Sequence, residues 1–197
     1  MPSPLRPEQL RALEYARRRG TEANLADIRA RVAGTYAEIE SQVASLPEEI
    51  ARRHGGAGGW CVQEVVDHLV ESDGPAAGQL AELLEGRAVT EPIPASLQSP
   101  APHDLAWSAL RERFGAVHAD VLAVLATASD DSPQGATGAV WMVVKCAMPD
   151  GTVQPLSSLQ RFDWKAYAIL LHAHNREHMA QIRRILATPA TEPVAGA

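Results

Sequence analysis

The stretch Asp163–Leu186, DWKAYAILLHAHNREHMAQIRRIL, decides the fold. It holds neither proline nor glycine and opens on an acidic residue suited to cap a helix. Tyr167, Leu171, His174, His178, Gln181 and Ile185 recur at steps of three and four, which trace one face of an α-helix. Two histidines therefore stand one turn apart in a stripe expected to be buried, where both imidazoles can reach one point. A buried imidazole pair must hydrogen-bond or ligate something, because unsatisfied polar groups are costly to bury. The pair reads as part of a divalent-metal site.

Outward from this helix, the same period recurs upstream. Pro7–Arg19 reads as a short helix with Gly20 as its stop. A first long helix is expected over Thr21–Leu46, capped by Thr21 and ended by Pro47. His54–Gly59, HGGAGG, reads as a flexible connection and lacks the Gly-Lys-Ser/Thr of a phosphate-binding loop. A second helical pattern starts near Cys61 and stops at Gly86, with a kink or break expected at Asp73-Gly74-Pro75. Thr90–Pro102 has four prolines and no helical period, which marks a crossover loop. The third long helix is expected over His103–Ala128, on a seam of Trp107, Leu110, Phe114, Val117, Val121 and Val124. Ala139–Cys146 is β-prone, and the turn signal at Met148–Thr152 allows a small hairpin ending near Val153. The expected fold is all-α: a four-helix bundle, a short extra N-terminal helix, and room for that hairpin before the last helix. Residues 1–188 read as one domain and 189–197 as a disordered tail.

Composition narrows the function. The 197 residues carry a net charge of −6 and a pI near 5.6. An acidic chain without a basic block is a poor partner for nucleic acid. No apolar run approaches the length that spans a membrane, and the N-terminus lacks the apolar core of a signal peptide. Two distant cysteines, Cys61 and Cys146, build no disulfide framework and fit a reducing cytoplasm.

Two histidines leave a metal site short, since catalytic sites of this kind usually have three protein ligands and an open position. His68, three residues after Val65 on the flank of an apolar face, is the third candidate. Three neutral imidazoles suit Zn, Ni or Fe(II) without choosing among them.

The motifs W-x-x-x-E-V-V-x-H-L (Trp60–Leu69) and H-x-x-x-H-x-x-Q-I (His174–Ile182) together resemble the DinB/YfiT-like superfamily of small bacterial four-helix bundles. Order and spacing match over about Thr21–Leu186. The resemblance implies that His68, His174 and His178 hold a divalent metal with water at the open position. It implies a metal-dependent hydrolase, or a transferase or isomerase using a low-molecular-weight thiol, acting on a small molecule. Exposed seam residues and the resemblance favour a homodimer. A non-catalytic, metal-containing binding or stress-response module stands beside the enzyme reading. The chain departs from the family at Cys61, where Ser or Thr usually caps the helix.

Other readings compete for the same residues. His174–His178 also spells H-x-x-E-H, the inverted zinc-protease motif, with Glu177 as base. Glu177 points about 100° away from His178 on a helix, and is read as a flank residue pairing with Arg184 or Arg176. His172 faces away from His174, toward the surface or the back of a ligand. His54, His103 and His118 take loop, cap and flank positions with no assigned role. Gln181 is placed to bond a ligand histidine or to bridge helices. Cys61 reads as a small buried hydrophobe, and the four tryptophans as packing residues.

Overall fold

The computed structural model describes residues 4–55, 59–95 and 97–188. The expected tail at 189–197 and the centre of the HGGAGG segment lie outside the described residues. Six helices and two strands follow in the order α1 (Pro7–Glu22), α2 (Leu25–Ala44), α3 (Glu48–Ala51), α4 (Val62–Leu84), α5 (Trp107–Thr127), β1 (Gly138–Ala147), β2 (Val153–Phe162) and α6 (Trp164–Ala187).

The helix ends follow local chemistry. Asp163 caps α6, its carboxylate accepting from the Ala166 N–H at 2.9 Å. Asn24, not Thr21, caps α2, accepting from the Asp27 N–H at 2.8 Å. Gly20 does not stop α1; it is the point where α1 meets α6. A Cβ there would lie 2.7 Å from the Ala166 nitrogen, so only glycine permits the approach. The break expected at Asp73-Gly74-Pro75 is absent, and α4 runs unbroken through Pro75. Pro75 withholds an N–H from the Glu71 carbonyl, and Glu71 is only half-buried. Burial of Ala76, Ala77 and Leu80 just beyond holds the next turns in place. α5 starts at Trp107 rather than His103, which stays in the crossover loop.

α4 packs against α5 and α6, α2 packs against the same two helices, and α1 lies along α6. The apolar core has two halves. One gathers the start of α2, the end of α4, the end of α5 and the start of α6 around Ile28, Leu80, Leu125 and Ile169. The other gathers the opposite ends around Ile39, Leu69, Phe114 and Ile182. This sharing of ends makes α2 and α6 run one way and α4 and α5 the other. Parallel neighbours α4 and α5 need a connection that returns the length of a helix, and residues 85–106 supply it.

Between the halves lies a layer of buried polar residues: Thr35, Ser72, Asp73, His118, His172 and Asn175. Each has at least one polar partner, as buried polar groups must. His172, expected at the surface or behind a ligand, is buried, with Nδ1 2.8 Å from Thr35 Oγ1 on α2. His118 is buried too, stacked on Tyr36 at 3.7 Å and bonded to Glu40 at 2.6 Å.

The hairpin is longer than its sequence suggests. β1 and β2 pair antiparallel over ten residues each, Gly138 opposite Phe162 and Ala147 opposite Val153. Gly151 takes φ +82° in its turn. No helix among the described residues is long and apolar enough to cross a membrane.

Candidate metal centre

His68 sits in the second turn of α4, and His174 and His178 stand one turn apart on α6. The antiparallel packing of these helices brings the three together: one ring nitrogen from each lies within 4.8 Å of the other two. Nε2 of His68 is 3.1 Å from Nε2 of His174. Nitrogens bound to one zinc ion at tetrahedral angles stand about 3.4 Å apart, so the spacing is that of shared ligands.

The far side of each ring faces an oxygen. Nδ1 of His68 donates to the Leu97 carbonyl at 2.5 Å. Nδ1 of His178 donates to Gln181 Oε1 at 2.9 Å. Nδ1 of His174 faces Asp73 Oδ1 at 3.9 Å. Protons held at Nδ1 of His68 and His178 leave lone pairs on their opposite nitrogens, which face the site. Two inward lone pairs beside a third imidazole are what a divalent cation binds, and oxygen partners behind the rings are the usual way ligand imidazoles are oriented. The donor set therefore fits a divalent ion.

The electrostatics agree. Burial lowers the pKa of all three rings. For His174 the neighbouring His178 and His68 push it further down. His178 falls to about 4, from burial first and His68 second. All three are thus neutral near pH 7, the state that binds metal.

The histidines do not lie in the deepest stripe of α6. That stripe is Ala168, Leu171, Asn175, Met179, Ile182 and Ile185. His174 is half-buried, its side chain 35% exposed, and it borders a cavity of about 680 Å³ shared with His68 and His178. Trp60, Ile93, Met142 and Leu170 help to wall that cavity, so the hairpin forms one side of it. Trp60 stacks within 12° of the His178 plane at 6.4 Å, which makes it an aromatic wall of the site.

Sequence reasoning misses Asp73. It is fully buried, and burial raises its pKa to about 7 against hydrogen bonds that pull it down. Asn175 Nδ2 donates to its Oδ2 at 2.8 Å. The Tyr36 hydroxyl lies near it, and burial pushes that phenol's pKa up as well. Glu177 is no base for the site: Lys145 holds it at 2.8 Å and Arg184 at 3.4 Å. The Lys145 ammonium keeps its carboxyl below the usual range. Gln181 takes the first of its two readings, bonding His178.

The comparisons with known proteins bear on the fold. The chain resembles, in structure, a histidine-to-alanine mutant of the mycothiol-dependent maleylpyruvate isomerase. The TM-score is 0.58 and sequence identity 12%, over 87% of this chain. The chain spans 64% of that enzyme's chain, under two thirds of its length. At this identity the likeness is one of fold. No protein-family model matches the chain, and no curated protein matches its sequence.

Proposed function

We propose that the chain is a divalent-metal-dependent enzyme of the DinB/YfiT-like type, acting on a small molecule as a hydrolase or as a transferase or isomerase that uses a low-molecular-weight thiol. In this reading α2, α4, α5 and α6 are the four-helix bundle, α1 is the extra helix and the hairpin closes the cavity. The observation that carries it is the convergence of three neutral imidazoles, two of them anchored to oxygens behind, at the wall of a ligand-sized cavity. The fold shared with a mycothiol-dependent isomerase supports the thiol branch.

His68, His174 and His178 would hold the ion. A divalent metal there supplies Lewis acidity to an oxygen or sulfur atom at its open position. The residues of this chain do the rest. Leu97 and Gln181 fix which nitrogen of His68 and His178 faces inward, and Asp73 stands behind His174 at 3.9 Å. Trp60, Ile93, Met142 and Leu170 displace water from the approach, which strengthens every charge interaction inside. Of the remaining lining groups, Lys145 carries a positive charge at the rim and already shares it with Glu177.

The test is metal analysis of untagged protein, followed by a panel of low-molecular-weight thiols with electrophilic or isomerisable substrates. The expected result is the loss of one equivalent of metal in His174→Ala, together with turnover that depends on that equivalent. Metal content unchanged in His174→Ala would sink the site. Retained metal without turnover across the panel would favour the binding module instead.

A further inference from the structure

Two turns before His68, at the start of the same helix, a second group of donors meets. Cys61 Sγ, a Glu64 carboxylate oxygen and a His103 ring nitrogen all lie within 4.8 Å of one another. Cys61 and Glu64 come from the first turn of α4, and His103 comes from the crossover loop nearly forty residues on. We propose that Cys61, Glu64 and His103 form a second metal site, one whose sulfur, oxygen and nitrogen donors suit a thiophilic divalent ion of the zinc class.

The geometry is held in place from outside. Arg52 donates to the His103 carbonyl at 3.0 Å and to Gln63 Oε1 at 3.0 Å. Gln63 Nε2 donates to the carbonyls of Pro102 and Leu105 at 3.0 and 3.1 Å. These bonds tie the loop that bears His103 to the first turn of α4. The guanidinium of Arg52 is also paired to Glu48 at 2.9 Å, so its charge is partly met elsewhere. His103 Nε2 stands 3.2 Å from Glu64 Oε1, and Glu64 Oε2 takes the Cys61 N–H at 2.7 Å. His54 lies beside the group, its Nδ1 3.7 Å from Glu64 Oε2. That nitrogen donates to the Gly59 carbonyl at 2.9 Å, so His54 borders the group without being one of its donors.

Serine or threonine would cap this helix better than cysteine, so the thiol has no advantage as a cap. Its advantage is as a ligand. An ion there would displace the thiol proton to solvent and take the thiolate, offsetting the burial and the nearby Glu64 charge that push the metal-free thiol up to about 11. His103 likewise turns a lone pair inward by carrying its proton on the other nitrogen. At about 1.5 Å per residue the two sites lie roughly 10 Å apart along α4.

The test uses full-length protein, stripped with chelator and titrated with Co²⁺. The first site offers only nitrogen, so a sulfur-to-cobalt charge-transfer band reports the second alone. Expected are two equivalents per chain and that band. His174→Ala should lose one equivalent and keep the band. Cys61→Ser, which improves the cap and so should fold, should lose the band and keep one equivalent; His103→Ala should weaken the banded site at least tenfold. No band in the wild type, or a band that survives Cys61→Ser through Cys146, overturns the proposal. Because the band does not depend on the histidine trio, failure of one site is distinguishable from failure of the other.

Discussion

Replacing Asp73 by Asn should move metal affinity and stability in opposite directions. The carboxylate is fully buried beside Nδ1 of His174, and burial raises its pKa from 3.8 to about 7. A carboxyl whose folded pKa is raised gives stability that is complete below about pH 3.8 and is lost as pH rises through about 7. A rise of that size corresponds to about 4 kcal/mol as an upper bound. Asparagine removes the charge and keeps the shape. Some of that gain is offset by the strong bond from Asn175, whose own unpartnered Oδ1 can turn to meet the new amide. The metal-free variant should therefore be more stable than the wild type at pH 8 by about 1–3 kcal/mol, and near equal at pH 4. Metal affinity should fall about 10–100-fold, the usual cost of losing a carboxylate behind a ligand histidine. Urea unfolding in chelator at the two pH values gives the first quantity, and its difference between the two chains cancels the histidines. Calorimetric metal titration gives the second. A variant less stable at pH 8, or one that binds metal as tightly as wild type, would refute the placement of a charged Asp73 behind His174.

The depressed ring pKa values set a pH window for metal release. Three ordinary imidazoles would cost about 10³ in affinity between pH 7.5 and 5.5; this site should lose about tenfold or less, with the steep fall coming as pH drops toward 4. Zinc titrations at pH 7.5, 6.5 and 5.5 decide it, and a thousandfold loss at 5.5 contradicts the burial. Gly20→Ala should destabilise by about 1–3 kcal/mol despite better helix propensity, because the new Cβ meets the backbone of Ala166; a rise in Tm would show that α1 does not dock there. Phe114→Ala, in the half of the core around Ile39, should cost about 3–5 kcal/mol in chemical denaturation. Metal at a hundred times its Kd should add about 2.7 kcal/mol, reversed by chelator; an unchanged Tm would mean that the folded chain binds no ion.

How much of the fold is legible in the sequence depends on what each residue has to satisfy locally. Asp163 announces the start of α6 because a cap is a short-range bond, and the helix begins one residue later. The seam of α5 is legible in part for the same reason, since period is a local property: Trp107, Leu110, Phe114 and Val121 are buried as expected, while His118 and Leu125 take the places read for Val117 and Val124. Pro75 misleads because its clash is local while the burial of Ala76, Ala77 and Leu80 that overrides it is tertiary. β2 escapes a reading by propensity since Val153–Phe162, VQPLSSLQRF, has weak strand preference and forms mainly by pairing with β1. Helix starts err where a residue suited to a cap lies short of the boundary, Thr21 in the last turn of α1 and His103 in the crossover loop.

The site shows the same division. The spacing of His174 and His178 is enough to place them together on one helix, and the motif around Trp60 singles out His68. The structure brings all three to one point. The expected seam is misplaced, however, because Leu171 and Ile185 belong to the buried stripe while His174, His178 and Gln181 lie on the line beside it. That shift decides the chemistry. On the stripe itself stands Asn175, and at the matching position of α4 stands Asp73, each a polar residue where the period calls for an apolar one. Those two breaks in pattern are the signal in the sequence for the polar layer, and a search for histidines alone passes over both. Had the histidines occupied the stripe, they would be sealed between core halves with no route for a substrate. One line over, they keep oxygen partners from the interior behind them and face a cavity in front, which is the arrangement a reactive ion requires and a purely structural one does not.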